Sequence, residues 1–147
     1  MRATGPDAVL FVCTMNAVRS PMAAALLRHL RPDLNVQSSG LETGEPDFLM
    51  VAVMAEIGLD LAGHTPHPLT GLKPGHFSLV VTLSPEAHHR ALEWTRAART
   101  EVEYWPTLDA ASAEGSREQR LAAYRAVRDD LFQRLKARFV LQPAQDA

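Results

Sequence analysis

The chain has 147 residues, of which 46% are hydrophobic and 22% charged, with a formal charge of −2. Such a chain is expected to fold as one globular domain over residues 1–147 with a real core, and it has no basic block to suggest nucleic acid or an anionic membrane as partner. Its one cysteine, Cys13, excludes an internal disulfide, a cysteine-rich zinc site and an internal resolving thiol.

Residues 1–7 carry Arg2, Pro6 and Asp7, and the apolar run behind them is too short for a secretory signal, so a cytoplasmic setting is expected. Val9-Leu10-Phe11-Val12 reads as the buried part of a strand over about 8–13. A helix over about 20–30 follows, with Pro21 suited to its first position and Pro32 ending it. Val36 to Gly40 reads as a second strand. Asp47 is placed to cap a helix running to about Gly58, with Phe48, Val51, Met54 and Ala55 at helical spacing. That apolar stretch is far short of a membrane span.

Residues 59–76 are rich in proline and glycine and read as loop. Phe77 to Leu83 is a further buried strand, and Ser84-Pro85-Glu86 reads as N-cap, proline and acidic first turn of a helix. Val102 to Trp105 is a fourth strand stopped by Pro106. A loop over 106–115 leads into an amphipathic helix over about 116–139, with Leu121, Tyr124, Val127, Leu131, Leu135 and Phe139 on its core face. The arginines of that helix interleave with acids and read as a solvated face. The tail from Gln142 to Ala147 reads as frayed. Strand–helix alternation with continuous apolar strands predicts an α/β fold with a parallel sheet covered on both faces. Ligands of such sheets bind at the carboxyl ends of the strands.

Cys13 ends the first strand, and Arg19-Ser20-Pro21 opens the helix behind it. A strand entering a helix through a tight loop aims the amides of residues such as Thr14, Met15, Asn16, Ala17 and Val18 at one spot, where they can hold an oxyanion. Arg19 adds a planar fork of donors suited to phosphate-like oxygens. A helix N-terminus and a guanidinium both favour thiolate over thiol, so Cys13 is expected to react as the thiolate. Ser20 can donate its hydroxyl to that sulfur, and Asn16 is the loop residue most tolerant of a left-handed conformation. A lone cysteine at a strand end is more often a small core residue, and an arginine six positions on is more often a surface charge. The ordered set of strand, cysteine, asparagine, arginine and helix start outweighs that reading. The histidines show no metal-ligand spacing: His88 and His89 are adjacent on a helix, and His64 and His67 share a proline-rich loop. A surface or capping role is expected for all six, with no metal and no cofactor.

Residues 9–23, Val-Leu-Phe-Val-Cys-Thr-Met-Asn-Ala-Val-Arg-Ser-Pro-Met-Ala, closely resemble the opening of the low-molecular-weight protein tyrosine phosphatases and of arsenate reductases with the same fold. Ser38-Ser39-Gly40, Gly58-Leu59-Asp60 with His64, the strand at 78–83 and Trp105-Pro106-Thr107-Leu108-Asp109 extend the resemblance along nearly the whole chain. The resemblance implies a three-layer α/β/α fold with a four-stranded parallel sheet. It matches Cys13 to the nucleophile, Arg19 to the phosphate clamp, Ser20 to the hydroxyl that assists the thiolate and Asp109 to the general acid. Asn16 matches the residue that supports the loop by bonding Ser38. Three departures stand out: Ala110-Ala111 replace proline and aromatics after the acid, Leu41 to Glu45 offer no aromatic wall, and Met15 occupies a usual glycine position.

The resemblance implies a cysteine-dependent phosphomonoester hydrolase acting on a phosphorylated protein or small molecule through a cysteinyl-phosphate. An arsenate reductase using an external small thiol or glutaredoxin is the nearest alternative, since a single cysteine excludes the version with an internal thiol relay. A non-catalytic oxyanion-binding regulatory protein is the third.

Overall fold

Strand β1, Ala8–Cys13, lies inside a sheet because Val9, Leu10, Phe11 and Val12 are each fully buried and so need cover on both faces. β2 (Asn35–Gly40) and β3 (Leu79–Thr82) pair with it in parallel on either side, and β4 (Glu101–Tyr104) pairs in parallel with β3, giving the order β2-β1-β3-β4. The computed structural model describes residues 7–140; the expectations for residues 1–6 and for a frayed tail lie outside the described residues.

Four helices cover the sheet: α1 (Arg19–Leu30), α2 (Phe48–Ala55), α3 (Pro85–Trp94) and α4 (Arg117–Phe139). Side chains alternate across a strand, so Val9, Phe11 and Cys13 join the buried residues of α1, α2 and α4, while Leu10 and Val12 join Ala87 and Ala91 of α3. The result is the expected three-layer α/β/α arrangement. Among the described residues no helix is long and apolar enough to cross a membrane.

The capping residues sit where the sequence places them. Asp47 accepts from the amides of Leu49 and Met50, Ser84 from Ala87, and Ser116 forms a reciprocal capping box with Gln119.

Several boundaries differ from expectation. Pro21 is the third residue of α1 rather than the first, because the helix opens at Arg19; its missing N–H still falls among those without an intrahelical partner. α2 ends at Ala55, not Gly58. The amides of Ile57 and Leu59 both turn back to the Met54 carbonyl, and Gly58 closes the turn at φ 81°, a conformation that favours glycine. Phe48 heads α2 but is 80% exposed, and the buried face is instead Leu49, Met50, Val53 and Met54. β3 pairs only over Leu79–Thr82, and β4 starts at Glu101 and ends before Trp105, which packs edge-on against Phe11.

The solvated arginine face on α4 fails at Arg128. That side chain is buried, donating to the Val53 carbonyl at 2.7 Å and to Glu56 at 2.8 Å. α4 is thereby fastened to the end of α2.

Candidate active site

Residues 14–18 form a loop between Cys13, the end of β1, and Arg19, the start of α1, so a strand and a helix N-terminus meet there. Val18 is the N-cap of α1 and offers no side-chain cap, which leaves the first amides of the helix free for other acceptors. One is already used: the Ser20 amide lies 3.4 Å from the Cys13 Sγ. The Ser20 Oγ lies 2.9 Å from the same sulfur. Cys13 is only 2% exposed, so these two groups are its polar surroundings on the protein side.

The proton on Ser20 can be followed through the network. Asn16 Nδ2 donates to Ser20 Oγ at 2.8 Å and to Ser38 Oγ at 3.0 Å. An amide nitrogen only donates, so the Ser20 hydroxyl keeps its own proton for another acceptor. The choices are the Ser39 carbonyl at 3.3 Å and the Cys13 sulfur. Both only accept when the sulfur is a thiolate, and the sulfur then offers the shorter contact, 2.9 Å against 3.3 Å, and a full negative charge.

Asn16 holds the loop from inside. Its φ is 54°, the left-handed conformation expected for it, and it is fully buried. Its Oδ1 accepts from the His67 amide at 3.0 Å, and its own carbonyl lies 2.8 Å from His64 Nε2. A carbonyl only accepts, so His64 carries its proton on Nε2. His64 is therefore a support of this loop, which corrects the expectation of a surface or capping role. His88 departs from that expectation too: its ring stacks on Tyr104 with centroids 4.7 Å apart, and Nδ1 meets Thr82 Oγ1 at 3.0 Å.

The loop is strapped on its other side by backbone alone. Thr14 accepts from the amides of Leu41 and Glu42, and Met15 accepts from Gly44. Gly40 makes this approach feasible. A Cβ there would stand 2.6 Å from the Glu42 carbonyl oxygen and 2.7 Å from the Asn16 nitrogen, closer than side chains tolerate.

A cavity of about 710 Å³ opens over the loop. Cys13, Thr14, Met15, Ala17, Val18 and Arg19 line it from the loop, and Asp109 and Ala111 from the segment before α4. Of the expected site residues, Asn16, Ser20 and Ser38 do not line it; they sit behind as support. Arg19 Nη1 donates to the Thr107 carbonyl at 3.1 Å, linking the arginine to the segment that carries Asp109. Asp109 Oδ1 caps the short turn Ala110–Ser112 through the Ala111 amide, and its second oxygen has no hydrogen bond among the described residues. Thr14 Oγ1 meets Ser84 Oγ at 3.0 Å, so the start of α3 also borders the site.

Sequence reasoning missed His64, His67, Gly40, Ser84 and Thr107 as parts of this assembly. Gly40, His64 and Thr107 carried a signal only through the segments that resemble the family, which did not say what each of them supports.

Known proteins resemble the chain over the same span. The family described as low molecular weight phosphotyrosine protein phosphatase matches residues 8–139. An arsenate reductase of Bacillus licheniformis is 31% identical over 129 residues, covering 87% of this chain and 91% of that protein. A protein of Ralstonia solanacearum named as a probable low molecular weight protein-tyrosine-phosphatase is 40% identical over 78 residues, covering 51% of this chain and 54% of that protein. Among solved structures, an arsenate reductase in a phosphate-binding state superposes with a TM-score of 0.74 at 27% identity, covering 88% of this chain and 94% of that one.

Proposed function

We propose, on the premise that the chain belongs to the low molecular weight phosphotyrosine protein phosphatase family, that this enzyme hydrolyses phosphomonoesters through a cysteinyl-phosphate on Cys13. The observation that carries the reading is the placement of Cys13, Arg19 and Asp109 on one cavity, with Ser20 against the sulfur.

The phosphoryl group docks on the free loop amides and the Arg19 fork. Cys13 thiolate attacks phosphorus, and the bond from phosphorus to the leaving oxygen breaks. Asp109, protonated, gives its proton to that oxygen. The carboxylate left behind then takes a proton from water as the water attacks phosphorus, and the sulfur leaves as thiolate, again stabilised by the Ser20 hydroxyl. The protein's contribution is positioning and charge stabilisation, as phosphoryl transfer demands. Asp109→Asn should slow turnover by about 10²- to 10⁴-fold while phosphate still competes for the loop. Unchanged turnover in that variant would remove Asp109 from the mechanism.

Arsenate reduction is the second reading, favoured by the similarity to arsenate reductases and by a cavity with no aromatic side chain among its described lining residues. Arsenate would dock as phosphate does, and Cys13 would bond arsenic with loss of water. An external thiol then attacks the Cys13 sulfur, releasing arsenite and leaving a mixed disulfide that a second thiol, small or on a glutaredoxin, reduces. The external thiol is needed because the chain has only one cysteine.

Hydrolysis of p-nitrophenyl phosphate by the wild type and by Cys13→Ser, with free phosphate as competitor, tests the first reading. Turnover that is lost in the variant and inhibited by phosphate supports it. Absent turnover under reducing conditions overturns it, and thiol-coupled reduction of arsenate is then measured.

A further inference from the structure

Among the described residues lining the cavity, Arg19 is the one cationic side chain, whereas Glu42, Glu45, Asp47, Glu86 and Asp109 all line it. Some of these carboxylates are already employed. Asp47 caps α2 and accepts the Tyr124 hydroxyl, Asp109 caps the turn at Ala110–Ser112, and Glu86 sits in the first turn of α3, where the helix macrodipole favours an anion. Glu42 and Glu45 have no such role. They are exposed in the loop between β2 and α2 and have no hydrogen bond or ion pair through their side chains among the described residues.

Several acids elsewhere are paired with arginine. Glu56 pairs with Arg125 and Arg128, Glu118 with Arg125, Asp130 with Arg134, Glu103 with Arg138 and Asp33 with Arg31. Among the described residues, no arginine but Arg19 lines the cavity. The strand order puts the excess on both sides. The loops after β2 and β3 flank the loop after β1, so Glu42 and Glu45 stand to one side of Cys13 and Glu86 to the other.

A phosphoryl dianion entering such a mouth is repelled by the rim, and among the described residues no aromatic side chain lines the cavity to hold its organic part by stacking. Positive charge on either side of the phosphorylated residue converts that repulsion into attraction. We propose, resting on the phosphatase reading of this site, that the preferred substrate is a protein segment with Lys or Arg flanking the phosphorylated residue. Glu42 and Glu45 read one flank and Glu86 the other.

The test uses two phosphotyrosine peptides that differ only in having Lys and Arg, or Glu, around the phosphorylated residue. Wild type should turn over the basic peptide with kcat/KM about tenfold above the acidic one at low salt, a ratio that a few exposed ion pairs supply and that salt diminishes. Glu42→Gln/Glu45→Gln should shrink the ratio while p-nitrophenyl phosphate turnover is kept or raised. Equal kcat/KM for the two peptides in wild type, or an unchanged ratio in the double variant, overturns the inference. Loss of all turnover would instead overturn the phosphatase reading. Calorimetric binding of both peptides to Cys13→Ser then reads the charge preference alone: tighter binding of the basic peptide sustains it and equal affinities overturn it.

Discussion

Asn16 shows how much one side chain can carry. It is fully buried at φ 54°, donates to Ser20 and Ser38, and accepts the His67 amide. Asn16→Ala should cost about 2–4 kcal/mol, from buried groups left without partners and from an alanine forced into the left-handed region. Chemical denaturation checks this, and p-nitrophenyl phosphate turnover should fall with it because the Ser20 hydroxyl loses its anchor. Gly40→Ala addresses the same loop by crowding. Its Cβ would press on the Glu42 oxygen and the Asn16 nitrogen, so the loop must shift. A displacement of about 1 Å in such a site costs about 10²-fold in rate, and kcat/KM should drop by that order even if the protein stays folded. Cys13, Arg19, Ser20 and Asn16 were legible because they follow one another along the chain and one helix start orients them. His64 was not. Its bond to Asn16 spans 48 residues from a proline-rich loop with no periodicity to locate it.

At the scale of elements, local signals were read well and tertiary choices were not. Asp47, Ser84 and Ser116 cap the helices they precede, since a cap depends only on the next few amides. The orientation of α2 depends on what it packs against, and the 3-4 spacing of Phe48 with Val51 and Met54 could not decide it. The decision lies partly with Tyr124. Its hydroxyl reaches from α4 to Asp47 Oδ2 at 2.7 Å while Asp47 Oδ1 caps α2. Burial first, and then the bond to this carboxylate, push the Tyr124 hydroxyl to a higher pKa, so it stays a donor throughout the working range. Tyr124→Phe should therefore cost about 1–2 kcal/mol by removing a hydrogen bond to a charged group. Asp47→Ala should cost more, because it also removes the cap, worth about 1 kcal/mol. A double-mutant cycle in urea should return a coupling energy for the pair; independent, additive effects would show that Asp47 acts on α2 alone.

Across the whole molecule, the two helices meet again at Glu56, just beyond the end of α2. Arg125 and Arg128 both donate to its carboxylate from α4, at 2.8–3.1 Å. The hydrogen bonds from Arg125, then those from Arg128, hold its pKa at about 2, against 4.5 for an unperturbed glutamate. Because the folded value is depressed, the stabilisation is fully present above about pH 4.5 and is lost as pH falls towards about 2, where the folded protein also takes up the proton. Arg128 keeps the Val53 carbonyl and Asp129 as partners after Glu56 is neutralised, so the loss falls chiefly on the tie between α4 and the end of α2. Urea midpoints measured in steps across that window should fall with pH in wild type. Glu56→Gln should start lower at neutral pH and fall less steeply, so that the two curves converge near pH 2. Parallel curves would mean that other carboxylates set the acid limit and that this network, despite its geometry, does not couple α2 to α4. The loop after β1 leads into α1 and does not touch Glu56, so, on the function proposed for it, the initial loss on acidification should appear in stability before it appears as a weakening of phosphate binding at Arg19.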